Sequence, residues 1–329
     1  MSLRYSADYR TLLWALVMPF VAIAQYREPR LLPWLLPVTF YLAMAAGTIA
    51  HNHNHAPTFK AKPLNTFFGA YISVFYGYPT FAWVPTHNLN HHKWVNKPGD
   101  ATITWRHTNK VSLFVALSYF FVSAYYQSVP IKEYIRKARA NNPDLYRRIL
   151  GQYATWLGCS AAFLALGLAL HPWKQALYLF VLVTFLPQMF GTWTMMFFNY
   201  QQHLHCDPWS KHNHSRNITG RVFNFLVFNA GLHSAHHENA GTHWSELPKV
   251  HARLAPNIDP MLLQYSFWWY LTKQYIIGPF FPSVRSKQLG RAPWEVPDAN
   301  TPTGLKDAAK AMKIDAVEAL DAGTNAQMV

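Results

Sequence analysis

Charged side chains are absent from five long stretches of the chain, residues 31–59, 63–92, 111–131, 149–173 and 175–206, and they crowd into the connections between them. About 20 apolar residues cross a bilayer core, so several of these stretches are long enough to span one. Residues 11–26 and 31–50 read as a helical hairpin closed through Arg27-Glu28-Pro29-Arg30, because so short a connection leaves its two helices side by side. Residues 153–170 and 175–200 read as a second pair, joined around His171-Pro172-Trp173. Two further apolar segments, 64–85 and 111–129, lie between the pairs, and Pro79 and Pro85 make the first a poor continuous helix.

Basic residues orient these elements. The stretch 130–150 holds Lys132, Arg136, Lys137, Arg139, Arg147 and Arg148 against Glu133 and Asp144, which assigns it to the cytoplasm. With the N-terminus on the same side, the first hairpin returns to the cytoplasm and the second starts there. The segments between them then dip into the membrane or lie in its interface. Of the 23 basic residues before position 284, only Arg27, Arg30 and Lys174 fall outside in this arrangement. A six-span alternative would put Lys93, Lys97, Arg106 and Lys110 outside as well. The expected fold is an all-α integral membrane protein with four transmembrane helices, two interfacial or re-entrant segments and a cytoplasmic helical cap. Cys206, just past the last span, is expected to be reachable from the cytoplasm, and Cys159, within a span, is not.

Past residue 200 the chain is polar until Ser266-Phe267-Trp268-Trp269-Tyr270, an aromatic interface anchor by composition. Residues 1–283 form the expected membrane domain. Residues 284–329 form a linker and a short amphipathic helix over 305–322, with apolar positions at 305, 308, 312, 316 and 320.

Composition sharpens the class. Only 13% of residues are charged and 51% are hydrophobic, against about 25% charged in a soluble domain. The net charge of +14 comes entirely from residues 1–283 and flanks apolar segments, the pattern of a membrane protein and not of a nucleic-acid groove. Two cysteines exclude a disulfide framework and any four-cysteine metal site. Histidine, by contrast, occurs 17 times.

Nine of those histidines fall in three clusters, His51-Asn52-His53-Asn54-His55, His87-Asn88-Leu89-Asn90-His91-His92 and His233-Ser234-Ala235-His236-His237. The i, i+4 pairs His51/His55, His87/His91 and His233/His237 each lie on one helix face, and Asn199/His203 share the spacing. No cluster contains Asp or Glu, which argues against a carboxylate-bridged bundle site. Imidazole suits zinc, iron, copper or nickel. A zinc ion is closed by four ligands, so the number of histidines favours two metals with positions left for water or oxygen. His53, rotated away from His51, is expected to support or pack, as are His107, His171 and His251. His205, His212, His214 and His243 lean towards supporting or surface roles. The aromatics Phe75, Tyr76, Tyr78, Trp83, Trp193, Phe197 and Phe198, with Met195 and Met196, suit an apolar slot or, more commonly, plain packing.

These motifs resemble the membrane fatty acid desaturase and hydroxylase superfamily. His51–His55 matches its H-x3-H box, His87–His92 its H-x3-HH box and His233–His237 its H-x2-HH box, while Asn199-Tyr200-Gln201-Gln202-His203 is similar to a further N-x3-H element. The resemblance covers roughly residues 31–251. It implies a non-haem di-iron centre, two iron ions that activate O2 and remove hydrogen from an unactivated C–H bond of a lipid acyl chain. The implied ligands are His51, His55, His87, His91, His92, His203, His233, His236 and His237, with Asn199 holding a ligand water or an outer position. The expected outcome is a carbon–carbon double bond in a fatty acid or fatty acyl lipid. Hydroxylation, or oxidative decarboxylation to a terminal alkene, is the alternative with the same oxidant. A histidine-rich metal carrier or transporter is the alternative from another class, disfavoured because a transport path would also place polar ligands in mid-membrane.

No His-Pro-Gly-Gly haem segment and no G-x-G-x-x-G after a strand occurs in the sequence. Electrons are therefore expected from a separate donor of ferredoxin, rubredoxin or cytochrome b5 type with its reductase. The expected setting is a bacterial inner membrane with the active site facing the cytoplasm. Lys93, Lys97, Arg106, Lys211, Arg216 and Arg221 are the basic candidates for meeting that donor, and Arg4, Arg10 and the basic residues of 132–148 suit lipid headgroups.

Overall fold

The computed structural model describes residues 2–295; the helix expected over 305–322 lies outside them. Among the described residues, twelve α-helices and several short 3-10 and π-helical turns are joined by loops, and the only regular sheet is a two-stranded parallel pair. In chain order the helices are α1 (Asp8–Arg27), α2 (Leu32–His55), α3 (Lys62–Tyr76), α4 (His92–Trp94), α5 (Leu113–Asn141), α6 (Pro143–Leu170), α7 (Trp173–Leu179), α8 (Leu186–His203), α9 (Arg221–Leu226), α10 (His233–Glu238), α11 (Leu247–Leu254) and α12 (Phe267–Thr272). The strands are β1 (Asn217–Ile218) and β2 (Leu263–Gln264). The described residues fall into two compact units, one holding those up to Trp83 with Lys137–Met195 and the other Val84–Arg136 with those from Met196 to Glu295.

The first unit is helical and apolar. Among the described residues, three helical stretches are long and apolar enough to cross a membrane: Pro29–His55, Pro143–Leu170 and Trp173–His203, the last continuing from α7 into α8 through a π-helical turn. The expected first span, 11–26, does form a helix, continuous through Pro19, within the longer α1 that also carries Asp8, Arg10 and Arg27. In lipid, helices gain little from burying apolar surface against one another and rely on close packing of small residues. Here α2 presents Ala45, Ala46 and Gly47 inward. A Cβ at Gly191 of α8 would sit 2.8 Å from the Ala43 carbonyl oxygen, so only glycine allows these backbones to approach. Polar pins complete the contact: Tyr26 and Thr184 share a hydroxyl hydrogen bond of 2.8 Å, and Gln188 donates to the Val74 carbonyl at 2.8 Å. Trp34, Phe20 and Leu16 point outward and are exposed, the face that lipid would cover.

Two expectations about the middle segments are refined. The 64–85 stretch breaks where its sequence indicates: α3 stops at Gly77, whose φ of 90° is left-handed, and Pro79 follows. The basic stretch 130–150, by contrast, is not an open connection. Helix α5 runs through Pro130 to Asn141, and α6 restarts at once, because the Asn142 side chain caps it by accepting from the Leu145 amide at 2.9 Å ahead of Pro143 at the first helical position. Charged helix ends extend beyond the apolar windows that reveal them.

The second unit contains the loop 95–112, the π-helical segment Val84–His91 and the polar region after α8. Its core gathers Cys206, Leu232, Ala235, Leu247, Leu254, Ile258 and Leu262, which clamps α10 onto α11. Cys206 is fully buried, and burial pushes its thiol up to about 11, so the expected reactivity from the cytoplasm is corrected.

Candidate metal centre

Each histidine cluster sits on its own element. His51 and His55 occupy the last turn of α2 in the first unit, with ring centroids 4.8 Å apart and the His51 ring edge-on to Trp83 at 5.2 Å. His53 points elsewhere, as its rotation requires: Nδ1 meets the Thr58 hydroxyl at 3.0 Å and Nε2 the Asn65 carbonyl at 3.1 Å.

The second cluster does not follow α-helical spacing. Val84–His91 is π-helical, with Pro85 at its start, and such i→i+5 turns recur at functional sites. The wider turn brings His92 beside His87, Nε2 to Nε2 at 3.1 Å, while His91 is carried to a different set of neighbours.

The third cluster also divides. On α10, His233 and His237 meet at 3.1 Å through their Nε2 atoms, whereas His236 Nε2 faces His92 at 2.9 Å and His87 at 3.3 Å. The residues between the histidines hold the helix in place: the Ser234 amide donates to Asn217 Oδ1 at 2.9 Å and Asn217 Nδ2 returns to the Ser234 hydroxyl at 2.8 Å, tying α10 to β1.

Two sets of imidazoles result within this unit. In one, the ring nitrogens of His91, His203, His233 and His237 lie within 4.8 Å of one another. Successive Nε2 separations are 3.1 Å for His91–His203, 2.9 Å for His203–His233 and 3.1 Å for His233–His237. In the other, His87, His92 and His236 form a triangle of 2.9–3.3 Å.

Proton placement tests what these sets can hold. His91 Nδ1 faces a carboxylate oxygen of Asp100 at 2.7 Å, and His203 Nδ1 faces the His214 carbonyl at 3.1 Å. Both partners only accept, so both Nδ1 atoms donate, and in a neutral ring that leaves Nε2 as a lone pair. Two lone pairs 3.1 Å apart repel unless a cation lies between them. In the triangle, each Nε2 is either donor or acceptor, so three mutual contacts cannot all be hydrogen bonds. Metal–imidazole bonds of about 2.0–2.1 Å place neighbouring ligand nitrogens about 2.9–3.4 Å apart, which matches both sets. Burial, followed by the neighbouring imidazoles of His92, His233, His91 and His203, keeps His237 far below the usual histidine range, neutral and able to ligate.

Asp100 is the residue that motif reading misses. It is fully buried and accepts four hydrogen bonds of 2.7 Å, from His91 Nδ1 and the Asn96 amide on one oxygen and from the Thr102 amide and hydroxyl on the other. Burial alone would raise its pKa, but His91 and Thr102 outweigh that and hold it down at about 2. The loop that delivers it is strained. Val95 and Asn96 have φ of 45° and 64°, and a positive φ is rare for a β-branched residue. Gly99 has φ of 103°, and a Cβ there would meet the Trp94 ring at 2.7 Å. Asn90, inside the second cluster, fastens this loop through Gly99 O at 2.9 Å and the Ala101 amide at 2.7 Å. Asn96 binds the His203 carbonyl at 3.2 Å, and Trp105 binds the Asn96 carbonyl at 2.8 Å. A Pro-Gly-Asp turn after a histidine box is the signal that was available.

The remaining assignments follow. Asn199, one turn before His203, spends its Nδ2 on the Tyr119 hydroxyl at 2.9 Å and the Thr102 carbonyl at 3.4 Å. His214 supports the site through its carbonyl and lays its ring against His237, centroids 5.4 Å apart. His171 binds the Tyr26 carbonyl at 2.6 Å, His205 sits between Ser286 and the Asn109 carbonyl, and His107 is exposed. The flanking aromatics pack on one another: Tyr76 stacks on Trp83, Trp193 on Phe190, and Phe198 meets Phe267 edge-on. Among the basic candidates, Arg216 is corrected: its side chain is 2% exposed, stacks on Tyr270 and donates to the Gln201 carbonyl at 2.5 Å, so it cannot meet a partner.

Comparison with curated proteins and with solved structures gives no match. A family model described as fatty acid desaturase matches residues 29–269, a span that takes in all three histidine clusters, Asn199, His203 and Asp100. The chain is a member of the fatty acid desaturase family.

Proposed function

We propose that this lipid acyl-chain oxidoreductase is a membrane-embedded di-iron desaturase that introduces a carbon–carbon double bond into a fatty acid or fatty acyl lipid. The observation that carries the reading is the pair of Nε2 atoms of His91 and His203, 3.1 Å apart, while their Nδ1 atoms are held by Asp100 and the His214 carbonyl. One iron is assigned to His91, His203, His233 and His237. The other is assigned to His87, His92 and His236, with His51 and His55 added on the strength of their box. Iron there supplies O2 activation and hydrogen abstraction from an unactivated C–H bond. The overall reaction balances as –CH2–CH2– + O2 + 2 e⁻ + 2 H⁺ → –CH=CH– + 2 H2O.

The protein's own groups set the conditions. Neutral imidazoles add no negative charge to the metals, and Asp100, one bond removed, fixes the His91 tautomer and raises its basicity as a ligand. Asn199, with Nδ2 held by Tyr119, keeps its amide oxygen free of rotation and suits a ligand water or outer position. Electrons come from a separate ferredoxin, rubredoxin or cytochrome b5 type protein. Four spans, with α1 as the first, keep the three boxes on the cytoplasmic side of a bacterial inner membrane.

Lipid analysis of a host expressing the protein tests this. New double bonds that require O2 and vanish with His236→Ala support it. New hydroxyl groups or terminal alkenes would replace the outcome while keeping the oxidant, and an unchanged lipid profile with metal-dependent ion flux would assign a carrier instead.

A further inference from the structure

In the second unit a hollow of about 340 Å³ opens beside His237 and is lined by Lys97, Trp209, Lys211, His214 and Glu238. It links the protein's exterior to the metal ligand set in one step. Lys97 lies over the Trp209 ring, Nζ 5.3 Å from its centroid, and the His214 ring touches that of His237. Trp209 is itself fixed by donating to the Ala292 carbonyl at 3.0 Å. Lys211 is exposed, while the one carboxylate of the lining, Glu238, has Arg253 3.6 Å away. The rim is therefore net positive and the floor is an aromatic contact to a ligand imidazole; of the other basic residues expected to serve a donor, Arg216 is buried as above and Arg106 lies on the Tyr126 ring at 3.3 Å, while Arg221 is exposed outside this lining.

We infer that this hollow is the docking site of an acidic one-electron donor protein, whose carboxylates meet Lys97 and Lys211 and whose cofactor edge lies over Trp209 and His214. The inference rests on the proposed function, which needs two electrons per turnover. Each encounter oxidises one reduced donor by one electron, so two encounters serve one double bond. Complementary charge at a rim acts mainly on encounter rate and salt dependence.

The test measures the dissociation constant of the detergent-solubilised full chain for a plant-type [2Fe–2S] ferredoxin at 20 mM and 200 mM salt, by calorimetry. Lys97→Glu with Lys211→Glu should weaken binding about tenfold at low salt, and less at high salt, as surface charge pairs do. Arg148→Glu with Lys249→Glu makes the same change in net charge at exposed positions outside the hollow and should alter affinity less than about twofold. Trp209→Leu should keep the affinity and slow the reduction of the metal centre by ferredoxin, but not by dithionite. Equal losses for both charge pairs, or none for either, would overturn the inference. So would unchanged ferredoxin binding with lost binding to phosphatidylserine vesicles, which would assign the lysines to headgroups. A protein that desaturates normally with dithionite while failing these tests keeps the proposed function and loses only the docking site; one that takes up no metal loses the function itself.

Discussion

Replacing Asp100 by asparagine keeps the shape of the side chain and removes one acceptor. Its two oxygens take four hydrogen bonds, all from donors. If the new amide group turns towards His91, the His91 Nδ1–H and the Asn96 amide both lose their acceptor. If it turns the other way, the Thr102 amide is stranded while the Thr102 hydroxyl rotates to accept. The milder orientation loses one charge-assisted bond of about 1.5–3 kcal/mol and leaves a buried donor unsatisfied, so a destabilisation of about 3 kcal/mol is expected. The effect on metal is separate. Loss of a carboxylate behind a ligating imidazole costs about 10 to 100-fold in affinity. Only the His91 set contacts Asp100, so iron should fall from about two per chain to about one, the His87 set keeping its ion. Iron content after dialysis, together with a cobalt titration followed by its visible absorption, measures both sites. Asp144→Asn, which removes an exposed carboxylate paired with Arg147, is the control. Wild-type iron content and cobalt affinity in Asp100→Asn would refute the claim that the charge of this carboxylate strengthens His91 as a ligand.

Further outcomes follow from the same geometry. Burial, with charge from His212, Lys97 and His91, lowers His214 from 6.5 to about 4; its contribution to stability is present above 6.5 and lost as pH falls towards 4, so denaturation of the metal-free protein should show a weaker slope in that window for His214→Gln. His53→Ala removes contacts to Thr58 and Asn65 but no ligand, so iron content should hold while the thermal midpoint falls. On a Cys159→Ser background, with Cys206 buried, cysteines at Asn141 and Lys174 flank α6, which at 28 residues is about 42 Å long; an impermeant thiol reagent should label Asn141→Cys from the cytoplasmic side and Lys174→Cys from the other, and labelling of both from one side would break the four-span arrangement.

What the sequence makes legible is local. The i, i+4 histidines and the apolar windows appear because they depend on residues a turn apart, and α2, α6 and α8 form where those windows lie. The division of the second and third boxes between two ligand sets is not legible, since it depends on the π-helical pitch of Val84–His91 and on the orientation of α10 against β1. Asp100 escapes for a different reason: it lies nine residues beyond His91, and only the left-handed turn at Val95 and Asn96 folds it back. Arg216 looks like a surface cation in sequence, and its burial comes from stacking on Tyr270, which is far along the chain.

The central claim is tested most directly by feeding the purified, iron-loaded protein a fully deuterated acyl substrate with ¹⁸O2, ferredoxin and its reductase, and reading the product by mass spectrometry. The account predicts loss of two deuterium atoms from adjacent carbons, no ¹⁸O in the product and no turnover by His236→Ala. A product that retains ¹⁸O after losing one deuterium, or one shortened by its carboxyl carbon, would contradict desaturation, and an unaltered substrate in the presence of bound iron and reduced ferredoxin would contradict the account as a whole.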